Sequence, residues 1–193
     1  MTDRISKQWV DVGFQGQDPA TDFRGAGILG LDQLLAISNL DSPYHASALA
    51  MFNDSRKDEH WYFFACAGIN MTHCLLDLLH EDASFDEAML FHLSTFMKWK
   101  DHESQGSEAT AAELFEMKKG DDCSTVTQRN DYNEVVLLVF NHLYYELFYM
   151  FNRKWAENKM NIMEFTQFFK NLYDNDFYPQ VIEIINKYSA KLT

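Results

Sequence analysis

An all-α fold is predicted for this 193-residue chain. Apolar residues recur at helical spacing along most of its length, and sustained period-2 alternation is found nowhere. Of eight glycines, five crowd into Trp9–Gly30, and there are only three prolines, so the remainder has few helix breakers. Hydrophobic residues make up 47% and aromatics 15%, enough for a large core, which excludes a disordered chain. The expectation is one domain over residues 1–193, with about eight to ten helices and no internal repeat.

Taken in order, Ile5, Trp9 and Val12 share one face of a short helix. Gly13 stands where a C′ glycine ends it, and Phe14 can fold back on its last turn. Asp18-Pro19 marks a turn, and Thr21 or Asp22 is placed to cap a second helix. That helix is expected to bury Ile28, Leu31, Leu34 and Leu35 and to turn Asp32 and Gln33 outward. Ser42-Pro43 opens a third, with Ala48, Leu49 and Phe52 inward. His60–Leu79 is apolar nearly all round and reads as a central buried helix, with a possible break at Gly68.

Ser84 and Glu87 form a capping box for a helix to about Lys100, and Ser107–Lys119 reads as another. Asp121–Asn130 is expected to be a polar loop. Asp131 and Glu134 cap the longest helix, to about Asn158, which is dense in aromatics. Asn161 and Glu164 cap the next, burying Phe165, Phe168, Phe169 and Leu172. Pro179 opens the last, with Val181, Ile182 and Ile185 inward.

The net charge is −13, from 29 acidic and 16 basic residues. Such a surface repels phosphate backbones and anionic lipid, so nucleic acid is not expected as a partner. Cys66, Cys74 and Cys123 are odd in number and lack metal spacing, which suits a reducing, cytoplasmic compartment. The N-terminus has no apolar signal region, and the longest apolar runs, near Val135–Phe140 and Trp61–Ala67, are too short to span a bilayer. Direct membrane insertion is not expected.

Gly25-x-Gly27-x-x-Gly30 matches a dinucleotide-binding pattern, but that motif needs a preceding strand and a βαβ unit. Close packing of helices, or close approach of a partner's backbone, is the better account of these glycines. Asn158–Phe169 has the cadence of an EF-hand exit helix, yet Lys159, Met160 and Ile162 stand where calcium ligands are needed. The seven histidines show no zinc spacing, and neither a nucleophile elbow nor a P-loop occurs. No metal or cofactor is expected.

What remains is Arg24, a cation at an expected helix start, where the helix dipole disfavours it. One reading is structural, an ion pair with Asp22, Asp18 or Asp32. The other is functional: a forked guanidinium presented to a partner's phosphate oxygens.

Trp9-x-x-x-Gly13-Phe14-Gln15-x-x-Asp18-Pro19-x-Thr21-Asp22-Phe23-Arg24-Gly25 resembles the opening motif of the ELMO (engulfment and cell motility) domain, most like the small ELMO-domain-containing (ELMOD) proteins. Phe64-Ala65-x-x-Gly68-Ile69-Asn70-x-Thr72 and the tryptophan-terminated helix Phe140–Trp155 resemble later parts of the same domain, so the motif-bearing core runs over about residues 9–173. The resemblance implies a GTPase-activating protein for the GTP-bound form of an Arf or Arf-like GTPase. Arg24 is then the arginine finger. Trp9, Gln15, Asp18, Thr21, Asp22 and Gly25 support the loop or the partner contact, with Gln15 acting on the attacking water as the weaker alternative. An arginine finger can supply roughly 10³–10⁵ in rate. The GTPase would bring nucleotide and magnesium, and would recruit the protein to membranes.

Two departures bear on this. Spacing between the second motif and the terminal tryptophan is longer than is usual in the family, which points to an insertion within residues 98–130. The N-terminal extension common in the family is expected to be nearly absent. The competing expectation is a non-catalytic adaptor that binds a small GTPase or a DOCK-type exchange factor.

Overall fold

The computed structural model describes residues 4–23, 26–81 and 126–189. Every regular element among them is helical and none is a strand, so the described part of the chain is all-α, as expected. The elements are α1 (Gln8–Asp11), a 3₁₀ turn (Pro19–Thr21), α2 (Gly27–Ser38), α3 (His45–Asp54), α4 (Phe64–Glu81) and α5 (Val126–Glu157). A second 3₁₀ turn (Ile162–Glu164), α6 (Phe165–Leu172), a π turn (Tyr173–Phe177) and α7 (Tyr178–Ser189) follow. Six of these helices have eight residues or more. The expected eight to ten is not confirmed, and the helices expected over Ser84–Lys100 and Ser107–Lys119 lie outside the described residues.

The chain gathers into two compact units. One joins Met1–Leu78 to Leu143–Tyr178, and the other joins Leu79–His142 to Pro179–Thr193. In the second, α7 buries Val181 and Ile184. The site described below lies wholly in the first.

The core of the first unit is the junction of α4 and α5. Helix α4 begins at Phe64 rather than His60 and runs unbroken through Gly68. It buries Phe64, Ala65, Ala67, Ile69, Met71, Thr72, Leu75 and Leu78. Glycine at 68 is required by packing, since a Cβ there would stand 2.5 Å from Leu34 Cδ2 and 2.6 Å from the Tyr144 hydroxyl oxygen. Across from it, α5 buries Leu143, Tyr144, Leu147, Phe148, Phe151 and Trp155. Phe151 and Trp155 pack against Tyr62 and against Phe165 and Phe168 of α6, with ring centroids 5.2–6.1 Å apart. Each such pair adds about 0.5–1.5 kcal/mol beyond the area it buries.

Polar groups in this core are tied together. Tyr62 Oη donates to Asn152 Oδ1 (2.7 Å), and Asn152 Nδ2 donates to Asp54 Oδ2 (3.2 Å). Asp54 also meets Lys57 (2.6 Å) and His60 (3.2 Å), while the Trp155 indole N–H donates to the His60 carbonyl (2.6 Å). Burial opposes ionisation of Asp54, but the Lys57 and His60 contacts outweigh it and hold the carboxyl below its ordinary value.

Several expectations are corrected here. α1 is a single turn, Gln8–Asp11, so of Ile5, Trp9 and Val12 only Trp9 lies on it, and Ile5 and Val12 are exposed. α2 turns Gly30, Gln33, Leu34 and Ile37 inward, leaving Ile28 65% and Leu35 59% exposed. Gln33, expected outside, is fully buried, and neither polar atom of its amide has a hydrogen-bond partner among the described residues. In α3, Met51 replaces Leu49 on the buried side. α5 starts at Val126, so residues 126–130 are helix rather than loop. The capping box at Asn161 and Glu164 is present, with both reciprocal hydrogen bonds.

Candidate functional site

The opening motif builds a loop over residues 13–23 that is bound at both ends and in the middle. At its start, Gly13 has φ +93°, the left-handed conformation that ends α1. Gly13 N–H donates to Val10 O (3.1 Å) and Phe14 N–H to Trp9 O (3.0 Å), the paired bonds of a Schellman motif. This is the C′ role read from the sequence. The same glycine lies against the first turn of α4. Its carbonyl accepts the Cys66 N–H (3.2 Å), satisfying one of the free donors of that helix end. A Cβ there would stand 2.5 Å from Phe64 N and 2.9 Å from Ala65 N.

Phe14 is then driven into the core, 1% exposed, between Trp9 (5.4 Å, 87°) and Phe23 (6.2 Å, 83°) in edge-to-face contacts. The two aromatics thus bracket the loop. In the middle, Asp18 caps the 3₁₀ turn by accepting from Ala20 N–H (3.1 Å), and Thr21 Oγ1 donates to Asp18 O (2.9 Å). Asp18 also pairs with Arg4 (2.6 Å), whose carbonyl accepts the Trp9 indole N–H (2.9 Å). Ser6 N–H donates to Gln17 O (2.9 Å). Asp22, 5% exposed, closes the loop by accepting Gln15 N–H at Oδ2 (2.9 Å).

The structure therefore brings Trp9, Gln15, Asp18, Thr21 and Asp22 into one hydrogen-bonded unit. Neither Thr21 nor Asp22 caps α2, which begins at Gly27 with Ala26 as its N-cap and no side-chain cap. Both side chains are committed inside the loop instead. Arg24 and Gly25 lie outside the described residues. Of the acids considered as structural partners for Arg24, Asp18 is engaged by Arg4 and Asp22 by the Gln15 amide. Gly30 is a packing glycine, its Cβ position lying 3.1 Å from Ile69 Cγ1, which is the close helix approach that the glycine spacing suggests.

Beside the loop is a cleft of about 390 Å³. Gln15 lines it from the loop, Phe63 from just before α4, Cys66 and Asn70 from the start of α4, and Phe165, Thr166, Phe169 and Lys170 from α6. The Asn70 side chain is oriented by donation to Cys66 O (2.8 Å). Sequence reasoning did not find this cleft. Its walls come from three segments far apart in the chain, and of its residues only Gln15 is among the expected site residues. Among the described residues no cluster of three acids, histidines or cysteines can hold a metal, and no helix is long and apolar enough to cross a membrane.

The profile of the ELMO/CED-12 family matches residues 1–169, which takes in the loop, α4 and the aromatic part of α5. The chain belongs to the ELMO/CED-12 family. It is 45% identical over 94 residues to bovine (Bos taurus) ELMO domain-containing protein 2, a stretch covering 49% of this chain and 29% of that protein. It is 43% identical over 97 residues to the Mus musculus protein of the same name, covering 50% and 30%. It is also 47% identical over 76 residues to Dictyostelium discoideum ELMO domain-containing protein B, covering 39% and 25%. The matched stretches thus span under a third of these relatives' length. No solved structure matches this ELMO-family chain.

Proposed function

We propose that this chain is a GTPase-activating protein for an Arf or Arf-like small GTPase, and that Arg24 is its arginine finger. Support comes from membership of the ELMO/CED-12 family, from the likeness to ELMO domain-containing proteins, and from the intact Thr21-Asp22-Phe23-Arg24-Gly25 sequence. The observation that carries the reading is the anchoring of the segment leading to Arg24. Asp22 is buried and bonded to the Gln15 amide, and Phe23 stands against buried Phe14. Pre-organised approaches of this kind lower the cost of placing a charge at a transferring phosphoryl group. Catalysis in trans also suits a protein whose sequence carries no self-contained active-site motif, because the GTPase supplies nucleotide, magnesium and water. Trp9, Gln15, Asp18, Thr21 and Asp22 support the loop, and recruitment to membranes would follow the GTPase.

The test is GTP hydrolysis over a panel of Arf and Arf-like GTPases, comparing wild type, Arg24→Ala and Arg24→Lys. Loss of stimulation in both variants is expected, since lysine keeps the charge but not the fork. Full stimulation by Arg24→Lys would refute the finger. Binding of the GTP-bound form without stimulation by wild type would select the adaptor reading.

A further inference from the structure

The cleft beside the loop has features that the loop's own stability does not require. Its apolar lining residues are Phe63, Ile162, Phe165 and Phe169, and its polar ones are Gln15, Asn70, Thr166 and Lys170. A few convergent polar groups in an apolar recess of this size are the usual make-up of a recognition pocket. Lys170 is the one charged residue in its lining, and among the described residues it has no ion-pair partner. In a chain of net charge −13, this is a place where an incoming carboxylate meets a free cation. Next to the wall, Trp61 is 40% exposed and stands edge-on to Phe63 (5.4 Å, 90°). Exposed tryptophan beside an apolar recess is the composition of an interface hot spot.

Position decides the occupant. Gln15 is bonded through its amide to Asp22, and Arg24 follows two residues later. Two residues of chain span at most about 7 Å. A GTPase engaged by the residue that follows Phe23 therefore approaches the end of the loop that Asp22 shares with Gln15, a residue of the cleft's lining. We propose that the cleft is the docking pocket for that GTPase, taking an apolar side chain among the phenylalanines while an adjacent carboxylate reaches Lys170. This rests on the GTPase reading above and adds to it the surface that sets affinity, as distinct from rate.

Thr166 and Lys170 are exposed, so changing them leaves the core intact. Thr166→Trp fills the cleft, Lys170→Glu reverses its charge, and Lys170→Arg preserves it. Gln167→Trp places the same bulk on the exposed neighbouring position, which does not line the cleft. Each variant of the full chain is titrated against the responsive GTPase, loaded with a non-hydrolysable GTP analogue for Kd and with GTP for half-maximal stimulation. Thermal melts check folding. Thr166→Trp and Lys170→Glu are expected to raise both values about tenfold or more, a loss of at least one hot-spot contact. Lys170→Arg and Gln167→Trp stay near wild type, and Arg24→Ala lowers the plateau rate instead. If wild type stimulates a GTPase and the first two variants bind it as tightly, the docking pocket is refuted while the finger stands. If wild type neither binds nor stimulates any panel member, the GTPase reading falls and this inference falls with it.

Discussion

The backbone amide of Gln15 donates to the buried carboxylate of Asp22 across seven residues of chain, at 2.9 Å. That bond turns the segment between them into a closed loop whose exit leads directly to Arg24. Hydrogen bonds to charged groups contribute about 1.5–3 kcal/mol, and truncating one partner also strands the other. Asp22→Ala is therefore expected to lower unfolding free energy by about 1–3 kcal/mol in chemical denaturation. It should also reduce GTPase stimulation although Arg24 is intact. Stability and activity both at wild-type level would remove Asp22 from the loop's support.

Gly13→Ala should be among the costliest single-methyl changes in the chain. The left-handed backbone alone costs about 1–3 kcal/mol for a residue with a side chain. The new methyl also meets the main-chain nitrogens of Phe64 and Ala65, which cannot swing aside. Gly16→Ala in the same loop meets nothing within 4 Å and has no positive φ. Its effect should stay within about 0.5 kcal/mol. Equal melting temperatures for the two variants would contradict the crossing of Gly13 over α4.

Trp155 is fully buried and donates to the His60 carbonyl. Trp155→Phe keeps most of the ring packing but leaves that carbonyl unpaired, for a loss of about 1–3 kcal/mol. Trp155→Ala adds a cavity and should cost about 3–5 kcal/mol. A Phe variant as stable as wild type would show that the hydrogen bond contributes nothing net.

Asp54 gives a signed pH dependence. Its folded-state pKa lies below the ordinary value of 3.8, so the unfolded chain binds the proton more readily. The stabilisation is complete above the unfolded value and is lost as pH falls through the folded value. Unfolding free energy should therefore decline below about pH 4 with a component that Asp54→Asn abolishes. An identical acid limb in both proteins would exclude Asp54 as its source.

The sequence was most legible where a local rule had one solution. Gly13 must end α1 because the chain turns left-handed there, and Asn161 with Glu164 satisfies two orphan donors at once. Legibility failed on α2 for a physical reason. Ile28, Leu29, Leu31, Leu34, Leu35 and Ile37 clothe it on most sides, so periodicity alone cannot choose its inner face. Gly30 makes the choice by admitting Ile69, and Gln33 is carried inward with it. The Arg4–Asp18 pair and the cleft could not be read because they join positions with no spacing rule between them. The polar composition at the start of α5 predicts a loop, whereas residues 126–130 are helical.

The ties among Tyr62, His60, Asn152 and Trp155 also order events in time. Tyr62 and Asn152 are 90 residues apart, and His60 and Trp155 are 95 apart. During synthesis the first 78 residues leave the ribosome before any of α5 exists, with the Tyr62 hydroxyl and the His60 carbonyl still hydrated. At about 5–20 residues per second, their partners emerge several seconds later. The unit that carries the loop is thus completed from its far end, and a nascent chain halted before Trp155 would carry the entire opening motif without the core that holds it.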